Sequence, residues 1–336
     1  MYVELKKRLN TVIILFFLIV TCSCAKCEND NVTLYEPIPS PEDNPISPDK
    51  IALGERLFFD KRLSRDQSIS CASCHVPEYS FTDRKKVSDG VNGGKTERNA
   101  PTLLNVGYQK TLMFDAHIAS LELQAIVPIQ EHVEMDMSMI ELIKRLKSDP
   151  FYEKESKRIF NRNFDAFVLT RSLATFQRSL ISQNAPFDKF YRDKNKKAIG
   201  KEARMGWELF SGRLNCIHCH PPPFFTNFKA ENNGLYVIYN QADKGRFRIF
   251  NDSADIGKFK VPTLRNIELT YPYMHDGSIK NLDEVIDHYM SGGKMHPHQH
   301  ELIKPFKLSA IEKKSLIAFF RSITDTSYLK RFRNVK

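Results

Sequence analysis

Two copies of one pentapeptide constrain this chain more than anything else in its 336 residues: Cys71-Ala72-Ser73-Cys74-His75 and Cys216-Ile217-His218-Cys219-His220. Each reads C-x-x-C-H, the attachment pattern of a c-type haem. The spacing follows from the chemistry. Two thiols add across the two vinyl groups of one porphyrin, and the adjacent His falls beneath the iron as proximal ligand. A zinc site would need further ligand pairs nearby, and no Cys lies between 74 and 216. A redox dithiol would not need a His directly after each pair. The motifs predict two covalently bound haem c groups, held by Cys71, Cys74, Cys216 and Cys219, with His75 and His220 on the irons.

The N-terminus reads as a targeting segment and is set aside from fold reasoning. Lys6, Lys7 and Arg8 precede the apolar run Val12 to Val20, too short to be a comfortable permanent span. The run ends in Thr21-Cys22-Ser23-Cys24-Ala25-Lys26-Cys27, which resembles a bacterial lipoprotein signal. Cys24 is the preferred lipidated residue over Cys22, because Ser23 precedes it; ordinary signal cleavage is the alternative. Residues 1–24 are therefore expected to be a signal, and 25–46, rich in Asn, Pro, Asp and Glu, a flexible tether. The expected location is the periplasm or cell envelope, where c-type haem is attached, with a lipid anchor to the membrane as one outcome.

The remaining length suits two domains, 47–190 and 191–330, with hydrophobic content of 41% sufficient for two cores. The formal net charge of +10 could steer an acidic partner or hold the protein near anionic lipid. The Lys and Arg look scattered, however, which reads as solvated surface. No helix-turn-helix, zinc-finger or stacking-aromatic pattern points to nucleic acid. Ser47-Pro48 opens an amphipathic helix carrying Ile51, Leu53, Leu57 and Phe58. Helical patterns recur at Met137–Lys147, Phe164–Ile181, Ala198–Phe210, Leu282–Met290 and Ser309–Ile323, with a polar break at Asp188–Lys197. Strand signals are weak. The expected fold is mostly α, two cytochrome c-like domains packed together, with no close duplication outside the haem motifs.

Separated motifs in one order give the chain a family resemblance over residues 45 to 325. They are Leu57-Phe58-Phe59-Asp60-Lys61-Arg62-Leu63-Ser64, Asn99-Ala100-Pro101-Thr102, Ser120-Leu121-Glu122-Leu123-Gln124-Ala125 and Val133-Glu134-Met135. Lys244-Gly245-Arg246-Phe247, Pro262-Thr263-Leu264-Arg265-Asn266 and Leu269-Thr270-Tyr271-Pro272-Tyr273-Met274-His275-Asp276-Gly277 follow. The chain resembles the bacterial dihaem cytochrome c peroxidase and MauG family. The resemblance implies an exported enzyme in which the N-terminal haem meets hydrogen peroxide and the C-terminal haem supplies an electron. A small exported cytochrome c or cupredoxin would be the electron donor, and pairing into a homodimer is left open.

The resemblance also assigns roles. Heterolysis of a peroxide bond needs a proton moved between its two oxygens, so an acid-base group must sit over the open iron face. The family's distal Gln and Glu, ten positions apart, match Gln124 and Glu134, with Glu131 and His132 as neighbouring rivals. Many of these peroxidases cap the resting first iron with a His from the following loop, but Val76 to Ala116 contains none. The first site is therefore expected to rest open, as in MauG-type proteins. At the second iron the matching position, fourteen after His275, is Tyr289, flanked by His288 and Met290; adjacent helical residues point about 100° apart, so only one can face the iron. A tyrosinate would lower the potential relative to Met. The family's inter-haem Trp is replaced by Phe114, and the Gly-Arg after its Asp by Ala116-His117, which makes hole hopping doubtful and leaves direct tunnelling. The family's calcium ion would be bound at Asn99, Thr270 and Pro272. Trp207 is read as core, and His296, His298 and His300 as a solvated loop. Rival functions are a MauG-like peroxide-dependent oxidase of a partner protein and a non-catalytic dihaem electron carrier.

Overall fold

The structure is a computed structural model and describes residues 36–239 and 243–332. The first long helix, Pro48–Phe59, starts where the Ser47 hydroxyl accepts the Lys50 N–H at 3.3 Å, with Pro48 in its first turn. Leu53, Leu57 and Phe58 are buried against the Ala166–Arg178 helix, which carries ten buried residues from Val168 to Arg178. The two cross at Gly54, where a Cβ would overlap the Ser172 carbonyl oxygen. The same device recurs in the second half. The Lys201–Ser211 helix crosses the Ala310–Ser322 helix at Gly206, where a Cβ would overlap the Ser315 carbonyl oxygen. Gly54→Ala or Gly206→Ala should each cost about 1–3 kcal/mol by overpacking; an unchanged denaturant midpoint would refute the close crossing.

Each crossed pair encloses its own hydrophobic cluster. One gathers Leu57, Leu63, Phe81, Leu142, Phe164 and Phe176; the other gathers Phe187, Phe210, Phe225, Leu264, Phe319 and Ile323. Among the described residues the only sheet pairs two two-residue strands, Ala230–Glu231 and Phe259–Lys260, antiparallel. The mostly α expectation holds, because loops and short helical turns, not strands, fill the space between the long helices.

Two loops repeat one short design, within a chain that shows no close duplication at large. Pro101-Thr102-Leu103-Leu104-Asn105 in the first corresponds to Pro262-Thr263-Leu264-Arg265-Asn266 in the second. Thr102 Oγ1 donates to the Ser80 carbonyl and Thr263 Oγ1 to the Phe224 carbonyl, both at 2.6 Å. Asn105 clasps the Ser182 backbone through both amide atoms, and Asn266 clasps Asp325 in the same way. Both asparagines sit at φ +59, a left-handed conformation Asn tolerates. Isolated bridges then join Leu112 to Ile118 and Tyr273 to Ile279, which makes Phe114 and His275 equivalent positions. Ser182 Oγ donates to Asn266 Oδ1 at 3.2 Å, so the two repeats also fasten to each other.

Three expectations change. The tether over 25–46 is corrected in its described part. Asn44 is fully buried and donates to Glu122 Oε1 at 2.7 Å, Lys50 Nζ donates to Asn44 Oδ1, and Arg178 holds the Pro39 carbonyl. The Pro150–Phe160 helix is not among the expected ones; it buries Tyr152 and Ser156 and is capped by Asp149. The polar break begins inside a helix, Pro186–Tyr191, whose Asp188 is buried. The signal over 1–24, with Cys22 and Cys24, lies outside the described residues. Among those described, no helix is long and apolar enough to cross a membrane.

Candidate haem centres

Cys71–Cys74 form one helical turn begun by Ser70, whose N–H donates to Ser73 Oγ at 3.0 Å. One turn brings residues three apart to the same face, which gathers the two thiols. His75 ends the turn, and its Nδ1 lies 2.9 Å from the Phe81 carbonyl. That contact makes Nδ1 the protonated nitrogen and leaves Nε2 free as a ligand. The second motif repeats this: Cys216–His218 form a 3₁₀ turn and His220 Nδ1 lies 2.9 Å from the Phe225 carbonyl. Burial holds both imidazoles below their ordinary pKa, His220 at about 4, so each is the neutral, metal-binding form. All four thiols are free. Two thiols and an unprotonated imidazole nitrogen at each centre fit one haem c apiece.

Glu134 lies close enough to the first motif for its charge to act on both thiols. Burial, with lesser contributions that include Glu134, pushes the Cys71 thiol up to about 12 and the Cys74 thiol up to about 11. The backbone explains the approach. After the Ile126–Gln130 helix, Glu134 N–H bonds Glu131 O and Asp136 N–H also bonds Glu131 O, closing a tight turn. Val91 N–H then holds the Glu134 carbonyl at 2.9 Å, against the loop that follows the motif. Burial first, and the Glu131 charge second, raise the Glu134 carboxyl to about 7. The rivals point elsewhere: Glu131 is exposed, and the exposed His132 pairs with Asp136 at 2.7 Å. Gln124, the last residue of the Leu121–Gln124 helix, directs its amide towards Met113 Sδ at 3.9 Å; no described hydrogen bond joins it to Glu134.

At the second centre the three candidates separate. The phenol of Tyr289, on the Leu282–Met290 helix, is pushed up to about 12, first by burial; it takes a hydrogen bond from Asn233 and feels the Cys216 and Cys219 thiols. His288 is buried and directs Nε2 at the Asn233 carbonyl, 3.0 Å away. Met290 packs against the second hydrophobic cluster. Asn233 thus holds both neighbours in place, a role that nothing in its local sequence signals.

Beside Phe114 lies a charged chain that sequence reasoning missed. Arg98 grips Asp115 through two bonds of 2.9 and 3.0 Å and reaches Asp243 at 2.6 Å, and His275 Nε2 lies 3.5 Å from Asp243. The guanidinium sits 5.8 Å from the Phe114 ring and 5.3 Å from the Phe259 ring, which stacks on His275 at 3.7 Å. Phe114 also accepts the Lys260 N–H at 2.7 Å. The Lys260 ammonium donates to Gln109 Oε1, and burial brings its pKa down to about 8. His117 has a buried Nδ1 with no partner among the described residues. The expected calcium residues are partly assembled: Asn99 Nδ2 donates to the Pro272 carbonyl at 3.0 Å, but no described hydrogen bond joins Thr270 to either. Asn99 Oδ1 would need a half-turn of the amide to join Pro272 in an oxygen donor set.

The His tract is corrected in part. His296 is buried, not solvated; its Nδ1 accepts from the His298 N–H and meets Asn232 Nδ2 at 3.1 Å. Among the described residues no group of three or more His, Cys, Asp and Glu is arranged to hold a metal ion. Trp207 packs between Phe187 and Phe319 as core.

A family model described as "Di-haem cytochrome c peroxidase" matches residues 48–196. The chain is 38% identical over 290 residues to the methylamine utilization protein MauG of Methylorubrum extorquens, covering 86% of this chain and 82% of that one. It is 35% identical over 324 residues to the cytochrome-c peroxidase IdrP1 of a Pseudomonas species, covering 86% and 84%. A solved MauG-like protein associated with microbial copper homeostasis superposes with a TM-score of 0.81 at 33% identity, covering 87% of this chain and 94% of that one.

Proposed function

The chain belongs to the dihaem cytochrome c peroxidase and MauG family, and on that premise we propose that it reduces hydrogen peroxide to water with electrons from a small exported redox protein. The balance is one H₂O₂, two protons and two electrons to two H₂O. Bound haem c supplies iron that reacts with peroxide at the first motif and exchanges single electrons at the second. The observation that carries the reading is Glu134, half-buried, within electrostatic reach of the Cys71 and Cys74 thiols, with its carboxyl raised to about 7.

The residues divide the work. His75 and His220 hold one metal position each, with the Phe81 and Phe225 carbonyls fixing their rings. Glu134 takes a proton from the bound peroxide and returns it to the departing oxygen, a transfer helped by a pKa near the working pH. Gln124 is assigned as the positioning partner of Glu134. With no His between Val76 and Ala116, no imidazole of that loop has to leave before peroxide enters. Export to the periplasm or cell envelope follows from the N-terminal segment and from covalent haem attachment. We also assign calcium to Asn99, Thr270 and Pro272, and each hydrophobic cluster to one haem domain.

Steady-state turnover tests the reading: the holoprotein should oxidise a reduced small cytochrome c only when peroxide is added. Peroxide-independent oxidation, or none at all, would sink it. Tyr289 is assigned as second ligand at the His220 centre. Tyr289→Met should abolish any tyrosinate charge-transfer band and raise that centre's potential; an unchanged spectrum and potential would remove Tyr289 from the iron. A second reading, peroxide-dependent oxidation of a partner protein, is favoured by Tyr289 and by the likeness to MauG. It predicts peroxide consumption without cytochrome turnover.

A further inference from the structure

Most of the fifty Lys and Arg are scattered, but one segment carries a local basic excess. Between Lys189 and Arg204 there are seven basic residues against two acidic ones, a local excess of five out of the formal +10. Asp193 is taken by Arg192 at 2.6 Å and Glu202 by Lys314 at 3.6 Å. Lys189 is exposed and acts electrostatically on Asp193; among the described residues, Lys194, Lys196, Lys197 and Lys201 form no ion pair with a carboxylate, and all four are exposed. Unneutralised lysines repel one another, so a surface like this holds free energy that an anionic partner can release.

An aromatic path leads inward from this segment. Tyr191 is 38% exposed, with Lys194 Nζ 5.3 Å from its ring centre. Its ring meets Trp207 edge-on at 5.8 Å and stacks on Phe187 at 5.5 Å. Phe187 meets Phe225 at 5.5 Å, and the Phe225 carbonyl holds His220 Nδ1. The basic surface is thus joined by contiguous side chains to the imidazole of the second centre.

We propose that the Lys189–Arg204 surface docks a small acidic electron-transfer protein, which passes electrons to the second centre past Tyr191 and Trp207. Each docking oxidises the partner by one electron and reduces the His220 centre by one, so two dockings supply one peroxide. For the fate of those electrons the proposal rests on the peroxidase reading. Anionic lipid would satisfy the lysines too, but a membrane has no use for an aromatic path ending at His220. Complementary charge at a redox interface acts chiefly on encounter rate, which makes the contact salt-sensitive.

The test uses the holoprotein and a triple variant, Lys196→Glu, Lys197→Glu, Lys201→Glu. Lys201 begins its helix, where Glu is well tolerated. Binding of an acidic small cytochrome c is measured by calorimetry at low and high ionic strength, turnover is measured with peroxide, and a basic cytochrome and phosphatidylglycerol vesicles serve as comparison probes. Wild type should bind the acidic cytochrome, and the variant should lose about 10- to 10³-fold in kcat/KM at low salt, with Soret and far-UV spectra unchanged. A matching Lys→Gln triple should fall between them. Equal kcat/KM in wild type and both variants, no binding by wild type, or charge-dependent binding to vesicles alone would each overturn the docking surface. Charge-dependent binding of the acidic cytochrome without peroxide-driven turnover would support the surface and contradict the peroxidase reading.

Discussion

Glu134→Gln is expected to slow the reaction of the oxidised holoprotein with peroxide by about 10²- to 10⁴-fold, the usual share of a positioned acid-base group. Gln keeps the size and the hydrogen-bonding capacity of the side chain but cannot accept the proton. The turn from Glu131 to Asp136 is held by backbone bonds, and Val91 grips the Glu134 carbonyl, so the substitution leaves the turn's scaffold in place. The pH dependence follows from the raised carboxyl at about 7. The competent base is the carboxylate, which predominates above that value. The wild-type rate should therefore rise with pH through about 7, and the rise should vanish in Glu134→Gln. Glu131→Gln should leave the rate within a few-fold, since it enters only through its charge on Glu134. Equal rates for wild type and Glu134→Gln would remove Glu134 from the chemistry.

Arg265→Met should cost about 3–5 kcal/mol of stability, because it strands a buried carboxylate. Arg265 and Asp188 are each 1% exposed in their side chains, and the guanidinium meets the two carboxylate oxygens at 2.9 and 2.5 Å. The same arginine donates to the Pro223 carbonyl at 2.7 Å, three residues after His220. Asp188 in turn accepts the Ala185 N–H at the start of the Pro186–Tyr191 helix. The loss should thus appear both in the denaturant midpoint and as disorder around the second centre. Adding Asp188→Leu should recover much of it, since an absent pair costs far less than a broken one. A single variant as stable as wild type would show that the pair is not closed in solution.

What could be read from the sequence, and what could not, divides by the distance over which each feature acts. The haem residues were legible because covalent attachment demands two thiols and a His within five positions, and no fold is needed to bring them together. The long helices were legible from their apolar spacing and caps, such as Ser47 before Pro48 and Ser309 with Glu312. Glu134 and Tyr289 came from resemblance, because nothing local marks them. The Arg98 chain was hidden, since Asp115 and Asp243 lie 17 and 145 residues away. Asn44 looked like part of a tether because its partner Glu122 is 78 residues on. The short loop repeat could have been found: Pro-Thr-Leu-x-Asn stands at 101–105 and again at 262–266. The substitution of Arg265 for Leu104 within it is what ties the second copy to Asp188.

The proposed peroxidase accepts peroxide at its first centre while at rest, with Glu134 as the acid-base group. Stopped-flow mixing of the fully oxidised holoprotein with hydrogen peroxide, with no reductant present, tests this most directly. A rapid Soret change is expected at the first exposure to peroxide. A spectrum that stays unchanged until the second haem has been reduced would contradict it.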